Sequence, residues 1–342
     1  MERTSTRIVA KLASMASMAS MFFMLVAVAG IFLASPVQAQ AQEPAAAGAT
    51  ARRTLSLVVP FPPGAGADGV ARMLAERLTT ELGHRVLVDN KPGADANIAI
   101  QFVAQAKPDG STLLLANPTV VYNHLITSLD FDPLTALDPV AKVTEYSLVL
   151  LMSGGRSPAN LDEFVTWARS KPGGVSCGGG GGAPFIACQM LLQYGQLPVT
   201  LVPYKGNAPA LQDLMGGHLD IMFDMSNSAS AQLGNSKVMP LATTAESRSE
   251  APFGSLPILR RTMPRFKLTS WLGLFAPAGM PPAEWRRLEQ ALEKTLSAPD
   301  FTARMAASGL GMRYENSAAF RRSLAEDRRH YEQVFKDIKM TR

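Results

Sequence analysis

Apolar residues along this chain alternate between short unbroken runs and stretches of helical spacing. Leu55 to Val59 is nearly continuous apolar sequence, the pattern of a strand buried on both faces of a parallel sheet. From Asp68 to Leu82 the apolar positions Val70, Met73, Leu74, Leu78 and Leu82 recur at helical spacing, which predicts a helix capped by Asp68 and stopped at Gly83. Val86 to Val88 is a second strand, Asn97 to Ala106 a second helix and Thr112 to Ala116 a third strand. Right-handed crossovers fold such a β-α-β-α-β unit into a parallel sheet. A second series places strands near Leu148 to Met152, Val199 to Val202, Leu219 to Phe223 and Met239 to Ala242, with helices at Leu161 to Arg169, Pro184 to Gln193 and Ala208 to Met215 between them. After Pro257 the composition is irregular, then an apolar run from Leu268 to Ala276 leads into three helical stretches.

Ahead of all this, Arg3, Arg7 and Lys11 precede an apolar stretch from Met21 to Ala34 and the small residues around Ala39. That is the three-part pattern of a secretory signal over 1–39, with cleavage after Ala39 or, as second choice, Ala41. The Ala- and Gln-rich 40–51 predicts a disordered leader. The apolar run is shorter than the roughly 20 residues that cross a bilayer, so an exported, soluble protein of the periplasm is expected. About 300 residues then remain, more than one core comfortably holds. The expected division is a first lobe of 52–150 with 270–342 and a second lobe of 151–269. Two crossings between lobes make a hinge and a cleft, where open α/β sheets bind ligands at the carboxyl ends of their strands.

Charge changes little in this picture. The chain has 33 Lys and Arg against 28 Asp and Glu; the signal takes three bases and one acid, leaving an excess of about +3 in the mature chain, too small to imply nucleic acid. Arg321, Arg322, Arg328 and Arg329 cluster near the C-terminus as a solvated face or, less favoured, a docking surface. Cys177 and Cys188 stand eleven apart in a compartment where disulfides persist. A bridge is conceivable, and two small buried residues flanking a helix start is the preferred reading. His84, His124, His218 and His330 have no metal-ligand spacing, so no metal is expected.

The informative motifs sit at predicted strand ends. VVPFPPGAGAD (58–68) runs a buried strand through a Pro/Gly loop into a helix, where glycines admit close approach and the helix start points unpaired amides outward. This favours an anion, and the spacing is neither a Rossmann fingerprint nor a P-loop; a tight loop merely capped by Asp68 is the other reading. GVSCGGGGGAPFIACQ (174–189) sets five glycines before a helix, either to expose amides across the cleft or as a flexible connector.

Together with VDNKPGADANIA (88–99), KPDGSTLLLA (107–116), VPYKGNAPALQDLMGGHLDIMFD (202–224) and SWLGLFAPAG (270–279), these blocks resemble the receptors of tripartite tricarboxylate transporters, the Bug family, in order and approximate spacing. The resemblance implies an α/β, two-lobed type II periplasmic-binding-protein-like clamshell, each lobe a sheet flanked by helices. It implies capture of a small carboxylate through main-chain amides and bridging waters, without cofactor. The matching positions are Phe61, Gly64, Ala65, Gly66, Ala67 and Asp68 in the first loop, and Asn117 and Thr119 after the third strand. From the second lobe come Gly180, Gly181, Gly182 and Ala183, then Tyr204, Lys205 and Gly206, and Asp224 after its strand. For Tyr204 and Lys205 packing or a charge pair is as good a reading, and Asp224 could equally cap a helix. The implied partner is a membrane permease of that transporter type or, as the alternative, a sensor kinase, with the receptor a monomer.

Departures from the family pattern matter for the ligand. Paired glycines give way here to Gly64-Ala65 and Asp95-Ala96, and Ala183 and Phe185 align where the family commonly presents Ser and His. The pocket is therefore expected to be less polar, shifting the expected ligand from citrate-like acids toward carboxylates with an apolar or aromatic body. An enzyme is not expected: neither Cys has a His nearby in sequence. An envelope hydrolase is the remote alternative.

Overall fold

The structure, a computed structural model, describes residues 54–127, 129–155, 158–245, 252–268 and 270–338. The expected signal and leader lie outside the described residues.

The first apolar run forms β1 (Leu55–Val59), buried at four of its five positions. It is followed by α1 (Gly66–Leu82), β2 (Val86–Asn90), α2 (Asn97–Ala104), β3 (Thr112–Ala116), α3 (Thr119–Ile126), the single turn α4 (Pro133–Ala136) and β4 (Leu137–Tyr146). Helix α1 stops at Gly83 in the left-handed conformation, φ 70°, which only glycine adopts without strain. It starts two residues before the expected Asp68, with Ala65 at the cap position and no side-chain cap. Beyond β4 come β5 (Leu148–Ser153), α5 (Leu161–Ser170), β6 (Val175–Gly179), α6 (Gly182–Tyr194), β7 (Val199–Pro203), α7 (Asn207–Met215), β8 (Ile221–Met225), α8 (Ser226–Ser230) and β9 (Val238–Thr243). The chain ends with α9 (Leu259–Thr262), β10 (Ser270–Pro277), α10 (Pro282–Ser297), α11 (Pro299–Ala307), β11 (Gly311–Asn316) and α12 (Ser317–Asp337).

Two sheets result, each flanked by helices: β11-β4-β10-β3-β1-β2 and β7-β6-β8-β5-β9. The expected parallel pairing holds for β1 with β2 and β3, and for β6 with β7 and β8. It fails where the chain changes sheet: β10 is antiparallel to β3 and β4, and β5 is antiparallel to β8 and β9. A strand entering a sheet from its neighbour has no helical crossover to turn it around, so its direction is set by the crossing. The change of sheet falls at Ser147, because β5 lies wholly in the second sheet. The two crossings run side by side. The Ser270 hydroxyl donates to the Tyr146 hydroxyl at 3.0 Å, and the Leu148 N–H donates to Thr244 Oγ1 at 2.9 Å.

Three strands escaped the sequence reading. β11 is half exposed and carries no apolar run. β4 carries a proline and three charged residues, so no apolar run marks it. β6 is VSCGG, whose composition argues against a strand, yet four of its five residues are buried. Cys177 on β6 and Cys188 on α6 form a disulfide with Cα atoms 5.8 Å apart, so the preferred reading of two unbridged residues is corrected. Parallel β6 runs straight into α6, and the helix folds back over the strand, bringing the two thiols together. On α12, Arg321 pairs with Asp138 at 2.9 Å and Arg328 with Asp132 at 3.2 Å, all partly solvated.

Candidate functional site

Between β1 and α1 the chain turns through Pro60-Phe61-Pro62-Pro63, closed by the Ala65 N–H donating to the Pro62 carbonyl at 3.2 Å. Asp68 locks this turn from behind. Its carboxylate accepts from the Gly64 N–H at 3.0 Å, from Arg72 Nε at 2.9 Å and Nη2 at 3.1 Å, and from Asn90 Nδ2 at 2.9 Å. Burial pushes this carboxyl up, but Arg72, the Gly64 amide and Asn90 outweigh it and hold the group below its ordinary value. Asp68 and Gly64, expected among the ligand contacts, line none of the cavities described below; they shape the loop.

Opposite this loop, the glycine run has a steric account residue by residue. A Cβ on Gly180 would lie 2.1 Å from the Gly206 Cα, and Gly181 and Gly182 have φ of 78° and 65°. The run is thus neither a connector nor uniformly free: the Gly180 N–H donates to Asn207 Oδ1 at 3.0 Å. Asn207 Nδ2 in turn donates to the Phe223 carbonyl and to Asp224 Oδ1, both at 2.8 Å, so one amide side chain ties together the ends of β6 and β8. Asp224 lies within β8 rather than after it and is 1% exposed. Burial pushes its carboxyl up, with Ser228, Asn207 and the Met225 N–H tempering the shift.

The two lobes meet along this seam. Asn227 Nδ2 on α8 donates to the Gly66 carbonyl at 2.7 Å, the Ser226 hydroxyl donates to the Gly309 carbonyl, and a Cβ on Gly206 would lie 2.5 Å from Pro62 Cδ. Three adjoining cavities follow it. The innermost, about 30 Å³, is bounded by Phe61, Ala65, Gly66 and Ala67 on one side and by Gly180, Gly181 and Asp224 on the other, with Asn117 between. Next to it, a cavity of about 170 Å³ is lined by Phe61, Thr119, Gly181, Gly182, Tyr204 and Lys205. A third, about 320 Å³, lies between α3 and α6 and has mostly apolar walls.

Most of the expected positions are therefore brought together. Ala183 is fully buried and Gly206 is pressed on Pro62, and neither lines these cavities. Tyr204 presents its ring only, because its hydroxyl donates to Asp213 Oδ2 at 2.7 Å; burial, then Asp213, pushes its pKa up to about 12. The sequence reading missed Tyr146, Asn207 and Met225, which line the innermost cavity. Asn207 lay inside a quoted block, directly after Gly206. Tyr146 had no local signal, since it comes from the hinge.

Asp95 was missed as well. Ala94, Asp95 and Ala96 have φ of 46°, 51° and 75°, three consecutive left-handed residues without a glycine among them, each costing roughly 1 kcal/mol or more. Asp95 turns its carboxylate toward Gly181, where a Cβ would meet Asp95 Oδ1 at 2.7 Å.

Among the described residues no group of three or more His, Cys, Asp or Glu could hold a metal ion, and no helix is long and apolar enough to cross a membrane.

Residues 70–340 match the tripartite tricarboxylate transporter family receptor profile. A protein encoded in the gbd 5′ region of Cupriavidus necator is 30% identical over 305 residues, covering 88% of this chain and 93% of the relative. The periplasmic binding protein BugD superposes with a TM-score of 0.79 at 29% identity, covering 84% of this chain and 98% of BugD. MatC from Rhodopseudomonas palustris with bound malate gives 0.77 at 29% identity, covering 82% and 98%. This chain belongs to the tripartite tricarboxylate transporter receptor family, whose members are solute receptors rather than enzymes.

Proposed function

We propose that this chain is a periplasmic receptor that holds a small carboxylate between its lobes and presents it to the membrane permease of a tripartite tricarboxylate transporter. The observation that carries this reading is the innermost cavity. Helices α1 and α6 both begin at its walls, and its space of about 30 Å³ suits a carboxylate head or two waters, each water needing about 10–15 Å³. The first amides of a helix lack intrahelical partners and carry partial positive charge. Gly66, Ala67 and Gly181, with Gly182 at the cavity's edge, supply such amides here, whereas Gly180 does not because Asn207 takes its N–H. Each charge-assisted bond contributes about 1.5–3 kcal/mol, so a few offset the cost of association at micromolar affinity. The body of the acid extends past Phe61 and Thr119 into the next cavity. MatC, with malate bound, supports the ligand class.

The test is a thermal-shift panel of small carboxylates, their methyl esters, sugars and polyamines. At a hundred times its dissociation constant a carboxylate should add about 2.7 kcal/mol, which raises the midpoint by roughly 5–10 °C. An ester that matches its parent acid, or shifts produced by sugars or amines alone, would overturn the reading.

A further inference from the structure

The cavity of about 320 Å³ is far larger than a carboxylate head needs, and it meets the amide cradle at Gly181 and Gly182. Away from that glycine edge its walls are Ile126, Phe185, Ile186, Leu201, Pro203 and the Tyr204 ring. An apolar cavity of about 150 Å³ accepts a benzene ring, so this one has room for a substituted ring. Two polar groups break the apolar lining. Tyr122 is fully buried, lines the cavity, and its hydroxyl has no hydrogen-bond partner. That hydroxyl lies against Gly182, whose added Cβ would be 3.5 Å away. An unpartnered buried hydroxyl costs on the order of 1–3 kcal/mol, and is retained where something else satisfies it. The second polar group is Asp95, held in its left-handed backbone conformation with its carboxylate at the boundary of this cavity and the neighbouring one.

We propose that this cavity is a second subsite, which takes an apolar ring of the bound acid, and that Tyr122 and Asp95 recognise a hydroxyl on that ring. The inference rests on the carboxylate reading above. A ring hydroxyl both accepts and donates. It accepts from the Tyr122 O–H, which burial keeps protonated by pushing its pKa well up, reinforced by Tyr331, Tyr146 and Asp95. It donates to the Asp95 carboxylate, which has lone pairs for several donors. A second carboxylate at this position would face Asp95 with like charge, so a ring dicarboxylate is disfavoured. A glycine at position 95 would carry no such selectivity, because it has no side chain to offer.

Calorimetry on the full mature chain would compare three acids of increasing reach, benzoate, phenylacetate and phenylpropionate, with their para- and meta-hydroxy and methoxy derivatives. Malate and the methyl esters serve as controls. In the reach that binds tightest, the hydroxy acid should bind about fivefold more tightly than its parent, the worth of one neutral hydrogen bond. The methoxy acid, which cannot donate, should lose the part of that gain that comes from Asp95. Tyr122→Phe should narrow the advantage of the hydroxylated acid over its parent, leaving the part that Asp95 provides, with the thermal midpoint reporting that the variant is folded. If malate binds and no ring acid does, or if the hydroxyl adds nothing at any reach, the subsite is overturned while carboxylate capture stands. Loss of parent and hydroxylated acids in equal measure from Tyr122→Phe would show a merely structural role and overturn it too. If esters bind as well as acids, the carboxylate reading itself fails.

Discussion

Asp224 shows what burial does to a single group in this cleft. It is 1% exposed, accepts from Asn207 and the Met225 N–H, and burial still holds its pKa above the ordinary value. A carboxyl whose folded pKa is raised is neutral in the fold at low pH and loses stability as pH rises through that folded value. Asp224→Asn keeps an acceptor for Asn207 and removes the charge. Its thermal midpoint should therefore match the wild type near pH 4 and exceed it increasingly toward pH 7.5. Melts of both proteins across that range test this, and a constant offset would show that Asp224 does not titrate in the window. Asp224 was visible in the sequence as an acid near a strand end. Its partner Asn207, which lies 17 positions earlier, had to wait for the fold, because the two meet only once β6, α7 and β8 are assembled.

Strand β6 and helix α6 form the element on which the site depends most, and here composition misled. Val175–Gly179 scores poorly as a strand, yet it pairs with β7 and β8 in the middle of a sheet, and a Cβ at Gly178 would meet Leu219 at 2.5 Å. Tertiary closeness, rather than local preference, keeps glycine there. The Cys177–Cys188 bridge staples strand to helix across the Gly180–Gly182 turn. Closing a loop of that length contributes about 2–3 kcal/mol in the chain-entropy model. Cys177→Ala with Cys188→Ala should lower the midpoint by roughly 5–10 °C and also weaken carboxylate binding, since the turn loses its brace. A drop in stability with calorimetric affinity unchanged would show that packing alone orders the turn.

At the level of the assembled lobes, the seam decides whether the cleft is closed. Gly66 is helical, so alanine there suits the backbone and keeps the amide, but its Cβ would meet Asn227 Oδ1 at 2.5 Å and Met225 at 3.0 Å. Asn227 cannot swing away without losing its bond to the Gly66 carbonyl. Gly66→Ala should thus weaken ligand affinity by about tenfold while leaving the ligand-free midpoint nearly unchanged. Small-angle scattering should show the wild type contracting on ligand addition and the variant contracting less. Equal contraction in both would mean that this contact does not govern closure.

The alternation of buried runs and helical spacing was enough to place β1, α1, β3 and most of the second series, because periodicity is a property of neighbours along the chain. The same holds for the two loops rich in glycine, whose closeness to helix starts is local. Strand direction at β5 and β10, the strands β4, β6 and β11, and the disulfide depend on which sheet a segment joins, and that is settled by burial against residues far away in sequence. The site divides along the same line. Phe61, Ala65 to Ala67 and Gly180 to Gly182 were legible as loops able to hold an anion. Asn207 as the tie between strands, Tyr146 at the hinge, and Tyr122 with Asp95 in the side cavity acquire meaning only when two lobes bring their surfaces within hydrogen-bonding distance, since no spacing along the chain encodes a contact across a cleft.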